Sequence, residues 1–259
     1  MSCSTCAALL PLPTELPSLT GLRASFNPGR PQAGYAIHVR GSSGLKQTRA
    51  VLDCWAQHPD WLPLVVAGAA SDAELTPRSR AAGNIIYLPP IAAAGSRGAG
   101  GGAADPATAG SPAGMLDAAR LRDMQGAASM HVYPALHAGF AHTLNEARAV
   151  GALIVTVDQA GLNELVTPDS GLLVPTVSAD SDPGAALEVL THLNGHVSAQ
   201  GLCEVVAKGL ALSEAAQQAK RAAAQAAYRA DKAAFVHRMQ QLRQYLGARV
   251  QQQQRQGRQ

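Results

Sequence analysis

Apolar residues in this chain gather into short, nearly unbroken runs: Tyr35 to Val39, Trp61 to Val66, Asn84 to Leu88, Met130 to Tyr133, Leu153 to Val157 and Gly171 to Val174. Runs of this length, apolar at almost every position and bounded by Gly, Pro, Asn or Asp, predict strands buried on both faces. Between them the apolar spacing lengthens to that of a helix. Val51, Leu52 and Trp55 mark one helix, and Met115, Leu116, Ala119 and Met124 a second. A third opens near His142 to Thr143, and a short one is expected around Glu164. Strands alternating with helices, with no hairpin turns, predict a parallel sheet covered on both sides. The fold class is therefore α/β, a single Rossmann-like domain of about six strands over residues 35–212.

The rest of the pattern is less regular. Residues 1–34 are punctuated by Pro11, Pro13, Pro17, Pro28 and Pro31 and read as a loose lead-in. Residues 92–114 form an Ala/Gly/Ser/Pro tract without periodicity, expected to be a low-complexity insertion in a surface connection. Gly184 to Leu193 and Gln200 to Leu212 read as helices. A C-terminal helical extension follows over 213–250, in which Ala227, Phe235, Met239, Leu242 and Leu246 share one face. That face predicts packing of its C-terminal half. Residues 251–259 are a polar tail expected to be disordered. There is no internal repeat.

Composition narrows the function classes. A hydrophobic share of 47% supports a buried core, and an aromatic share of only 4% leaves Leu, Val, Ile and Ala to fill it. The formal charge is +3, with the basic residues crowded from Lys220 to Arg258, so the domain itself does not read as a nucleic-acid binder. Cys3, Cys6, Cys54 and Cys203 are too few and too scattered for a disulfide framework, which points to a reducing, cytoplasmic compartment. The Cys3-x-x-Cys6 pair lacks a second pair and reads as incidental thiols rather than a zinc site. No apolar run reaches the roughly 18 residues needed to span a bilayer, and no secretory signal is visible at the start.

The candidate chemistry lies where a loop, a helix start and a strand end follow one another, between Tyr133 and Pro175. Arg40 and Lys46 flank the turn Gly41-Ser42-Ser43-Gly44 after the first strand, where two cations and free backbone N–H groups could complete a diphosphate site. The alternative is two solvated surface cations. Glu146, early in a helix after Gly139, can accept hydrogen bonds from the vicinal hydroxyls of a ribose, or can simply complement the helix dipole. His142 and Glu164 carry the same ambiguity between ligand contact and local capping. The segment after the first strand matches neither the Walker A pattern nor the dinucleotide fingerprint, which disfavours a nucleotide-dependent oxidoreductase. No Gly-x-Ser-x-Gly elbow supports a serine hydrolase, and no His-Glu-x-x-His supports a zinc enzyme.

Taken in order, His38 to Lys46, His58 to Gly68, Asn84 to Ile86, Gly139 to Thr156 and Asn163 to Val174 resemble the C-terminal, donor-binding half of a GT-B fold glycosyltransferase of the retaining, family-4 type. The resemblance implies hexosyl transfer from a nucleotide-sugar donor, with no cofactor and no bound metal. It assigns Arg40 and Lys46 to the donor diphosphate, Gly139, Phe140 and Ala141 to the loop that approaches the donor, and Glu146, with Asn145 beside it, to the nucleotide ribose. It names no catalytic residue in this chain. Where the family places the first acid of its paired-glutamate pattern, this sequence has Ala138, and its usual Gly-Phe-Gly reads Gly-Phe-Ala. Alanine cannot hydrogen-bond a sugar hydroxyl. The first 34 residues are also too few for an acceptor-binding domain, which a longer product or a partner chain would have to supply. Little or no transferase activity is expected of the chain in isolation, and the alternative is a noncatalytic nucleotide-binding or interaction protein on the same fold.

Overall fold

The computed structural model describes residues 34–40, 44–68, 74–88, 118–136, 139–177 and 196–256. The lead-in with Cys3 and Cys6, the turn at 41–43, the low-complexity tract, the helix expected at 184–193, Ala138 and the last three residues lie outside that set. Strands β1 (Ala36–Val39), β2 (Leu64–Ala67), β3 (Ile85–Tyr87), β4 (Met130–Tyr133), β5 (Leu153–Val157) and β6 (Leu172–Val174) form one sheet in the order β3-β2-β1-β4-β5-β6. Every pairing is parallel. The expected Rossmann-like α/β fold is the one observed, and the order reverses between β1 and β4.

Unbroken apolar strands are what a doubly covered sheet demands, because alternate side chains point to opposite faces. Ala36, Leu64 and Val66 enter one cluster with Val51, Leu52 and Trp55 of α1 (Thr48–Gln57). Their neighbours Ile37, Val65 and Ala67 enter the opposite cluster with Met124 of α3 (Ala118–Ala127). Trp55 is fully buried and its indole N–H donates to the carbonyl of Leu62 at 2.9 Å. That bond, with Trp61 stacked on His58, holds the approach to β2 as a turn, so the strand starts at Leu64 rather than at Trp61.

The first face is completed by α5 (Ala199–Ala211) through Leu202 and Val206, while α4 (His142–Val150) lies beside α3 on the other face with the start of α6 (Glu214–Gln256) packed against it. Gly151 ends α4 in the left-handed region at φ 71°, its N–H bonded to the carbonyls of Ala147 and Arg148. Cys54 of α1 and Cys203 of α5 are joined in a disulfide on the first face, 149 residues apart in sequence, a pairing their spacing did not signal.

Three sequence expectations need correction. A short helix, α2 (Pro77–Ala81), lies between β2 and β3 where none was expected. Its signal is local: Thr76 and Ser79 form a reciprocal capping box around Pro77 at the first position. Around Glu164 the chain makes hydrogen-bonded turns over 160–165 instead of a helix, with the Glu164 carboxylate accepting from the Gly161 N–H at 3.2 Å. The third concerns α6, where the packed and free halves are the reverse of those expected. Its first half docks through Gln217, Arg221, Ala224 and Gln225, while from Arg229 onward its described side chains are exposed. A shared apolar face sets which residues align but cannot say that a surface exists to receive them. The helix also continues to Gln256, into the stretch expected to be disordered. Among the described residues, no helix is long and apolar enough to cross a membrane.

Candidate functional site at the β1/β4 crevice

Where strand order reverses in an open parallel sheet, the connections leave in opposite directions and a crevice opens at the carboxyl ends of the strands. Here β1 pairs with β4 only at Ala36 and Ile37, whereas it pairs with β2 along its whole length. Beyond that point His38 takes over the contact. Its Nδ1–H donates to the Val132 carbonyl at 2.9 Å, and Nε2 lies 3.0 Å from the Thr48 hydroxyl at the start of α1. Complete burial lowers the His38 pKa to about 4, so the ring stays neutral and acts as a strut between the separating strands.

Both helices that open onto this crevice begin in the same unusual way. Gln47 precedes α1 at φ 50°, and Ala141 precedes α4 at φ 51°. Among the described residues these are the only non-glycine residues with positive φ. A side chain in the left-handed region costs roughly 1 kcal/mol, so such residues concentrate where function or packing demands the turn. Neither helix start has a side-chain cap. Among the described residues, no side chain accepts from the first-turn N–H groups of either helix, each set at the positive end of a helix dipole.

The two walls are tied together. The Gln47 side chain donates to the Pro134 carbonyl at 2.7 Å and accepts from the Val197 N–H at 2.9 Å, and the Leu136 N–H bonds the Leu45 carbonyl at 2.8 Å. Lys46, closing the 3-10 turn Gly44–Lys46, donates to the Tyr133 hydroxyl and lies 4.1 Å from the centre of that ring. Burial lowers the Lys46 pKa to about 8. Burial, with the nearby Glu146 carboxylate adding to it, raises that of Tyr133 to about 12. Tyr133 is therefore a neutral hydroxyl that accepts from the Lys46 ammonium and feels the Glu146 carboxylate.

The predicted site residues separate into two groups. Lys46 lies in the connection after β1, and Gly139, Phe140, Ala141, Asn145 and Glu146 lie in the connection after β4 and the first turns of α4. Arg40 turns the other way: its Nε pairs with Glu74, after β2, at 2.7 Å, while its own N–H still bonds Ala67 of β2. Glu146 accepts from Gln125 Nε2 at 2.8 Å, and the main-chain carbonyl of Gln125 accepts from His131 Nε2–H at 2.8 Å. Burial holds His131 neutral as well, with its pKa at about 4. Asn145 donates to the Phe140 carbonyl at 3.0 Å and accepts from Arg148. Phe140 is 69% exposed and leans on His142.

Sequence reasoning missed Tyr133, Gln47 and Gln125. Tyr133 was legible in principle, as a polar-tipped aromatic ending a strand beside the order reversal. Gln47 and Gln125 gave no signal, since their roles depend on partners 87 or 150 residues away and 21 residues away respectively. Among the described residues, no group of three or more His, Cys, Asp or Glu side chains is placed to hold a metal ion.

No family model matches the chain, and no curated protein matches it in sequence. Solved structures do match. Sucrose-phosphate synthase from Thermosynechococcus elongatus superposes with a TM-score of 0.56 at 18% identity, over 92% of this chain and 51% of that one. The trehalose-6-phosphate synthase OtsA does so with a TM-score of 0.53 at 12% identity, over 80% of this chain and 43% of that one. Both are GT-B glycosyltransferases. What is shared is the fold. The chain spans about half the length of the synthases it matches.

Proposed function

We propose that this chain is the donor-binding half of a retaining, family-4-type glycosyltransferase that moves a hexosyl group from a nucleotide sugar. The observation that carries the reading is the pair of uncapped helix starts at Gln47 and Ala141, flanking one crevice that also holds Lys46, Tyr133 and Glu146. Helix N-termini converging with a lysine suit a diphosphate. In this reading the donor diphosphate lies against Lys46 and the first turns of α1 and α4, and the Glu146 carboxylate, oriented by Gln125, takes the ribose hydroxyls. As the glycosidic bond breaks, negative charge grows on the leaving nucleoside diphosphate, and the ammonium and N–H groups stabilise it there. Gly139 to Ala141 close over the donor. The acceptor side comes from a further domain or a partner chain.

A second reading, a noncatalytic nucleotide-binding protein on the same fold, draws on Ala138 in place of an acid and on the pairing of Arg40 with Glu74. Both readings require a nucleoside diphosphate to bind. Calorimetric titration of nucleoside diphosphates and nucleotide sugars into the intact chain is expected to show binding that weakens about tenfold in Lys46→Ala, the loss of one charge-assisted contact. Glu146→Ala should weaken nucleosides more than inorganic diphosphate. Absence of binding to the intact chain sinks both. If binding holds, donor hydrolysis or transfer by Ala138→Glu supplied with an acceptor domain favours the transferase, and inactivity favours the second reading.

A further inference from the structure

The outer half of α6 is a second surface with a chemistry of its own. Phe235, Met239, Leu242 and Leu246 recur at intervals of four, three and four residues, which places them on one stripe of the helix. All are well exposed, Phe235 at 62% and Leu246 at 52%, and Val236 and Tyr245 lie exposed on the margins of the stripe. Arg238 and Arg249 border it on one side and Arg243 on the other, while the opposite face carries His237, Gln240, Gln244 and Ala248. The last acidic residue of the chain is Asp231, and its carboxylate is engaged by Arg148 at 2.5 Å. Beyond it the charged side chains are Lys232, Arg238, Arg243, Arg249, Arg255 and Arg258, all basic.

This charge pattern decides between occupants. A second copy of the helix, paired through the stripe as a parallel coiled coil, would set Arg238 of one chain beside Arg243 of the other and bury Arg249 in the seam. An antiparallel pair would likewise meet with basic side chains only. An apolar stripe edged by arginines, with an uncharged polar face behind it, matches instead an anionic surface that also accepts apolar side chains. Arginine at the margins of such a stripe can bury its stem and bond phosphate with its fork. The helix is not apolar enough to cross a bilayer.

We propose that the outer half of α6 docks in the plane of a lipid bilayer bearing anionic headgroups. Phe235, Met239, Leu242 and Leu246 enter the boundary between headgroups and acyl chains, and Arg238, Arg243 and Arg249 contact lipid phosphates. The docked helix holds the Rossmann-like domain at the membrane surface without a span.

The intact chain should float with vesicles of phosphatidylcholine and phosphatidylglycerol in equal parts, and bind them about tenfold or more tightly than vesicles of phosphatidylcholine alone. Added salt should weaken that binding steeply. Leu242→Asp and the double change Arg238→Glu with Arg243→Glu should each abolish flotation while leaving the thermal unfolding of the domain unchanged, because these side chains are exposed. The proposal is overturned if the anionic vesicles do not bind the chain, or if Leu242→Asp binds them as well as the parent. It is equally overturned if sedimentation shows a dimer that Leu242→Asp dissolves, since the stripe would then be covered by a second copy.

Discussion

The starts of α1 and α4 share a backbone geometry and differ in what sustains it. Each is entered through a left-handed residue with a side chain, and each presents an uncapped first turn to the crevice. Gln47 offsets the cost with two hydrogen bonds of its own side chain, one across the crevice to Pro134 and one to Val197 before α5. Ala141 has only a methyl group, 5% exposed, to set against the same cost. Its loop is secured indirectly, from the Phe140 carbonyl to Asn145, from Asn145 to Arg148, and from Arg148 to Asp231 on α6. One wall is therefore fixed by partners across the site. The other is fixed by a relay that runs away from the site to the long helix.

The largest expected effect comes from acid, and it acts on two buried imidazoles of the sheet. His38 and His131 have folded pKa values of about 4 against 6.5 when free. The unfolded chain takes up protons between those values that the folded one refuses, so stability is lost as pH falls from 6.5 toward 4. The loss is about 3 kcal/mol per imidazole at the low end. Urea titrations across that range should show it, and a flat profile would mean that neither ring is held neutral by burial.

Next in size is Arg148→Met, which cuts the relay behind Ala141 and should cost roughly 3 kcal/mol, since a buried hydrogen-bonding arginine is lost from a packed site. Amide exchange should then quicken over 139–145 but not at 45–47. Equal loosening at both helix starts would remove the distinction between the walls.

A smaller effect separates Lys46 from an ordinary lysine. Its pKa of about 8 means that nucleoside diphosphate affinity should be level below pH 8 and fall above it, by up to about tenfold per pH unit until the bound-state pKa is reached. A normal surface lysine would delay that fall to beyond about pH 10. Calorimetry at pH 7 and 9 distinguishes the two.

The smallest effect concerns Ala141 itself. Ala→Gly within a helix costs about 1 kcal/mol, and Ala147→Gly in α4 should cost at least that. Ala141→Gly relieves the left-handed strain while losing a buried methyl, and should change stability by less than about 0.5 kcal/mol. A loss as large as that of Ala147→Gly would mean that the methyl packing, and not the turn, is what Ala141 supplies.

Much of this fold was legible in the sequence because strand identity depends on runs of apolar residues, and such runs are local. Met130 to Tyr133 and Leu153 to Val157 appear with the boundaries the pattern implied. The capping box at Thr76 was equally local and could have been read. Lys46 and Glu146 could be singled out because a cation after a first strand and an acid early in a helix have recognisable positions. That Lys46 meets the Tyr133 hydroxyl could not.

What the sequence determined by itself was the set of buried strands, their alternation with helices, and so the parallel sheet, because burial on two faces leaves its mark on every residue of a strand. What only the tertiary structure decided was which neighbours those strands acquired, and with them the crevice between β1 and β4. It also decided that Arg40 belongs to Glu74, that Cys54 meets Cys203, and that the apolar stripe of α6 stays uncovered. A side chain's type restricts the partners it can take, but the partner it has depends on which distant segment is brought within bonding distance. No local pattern records that.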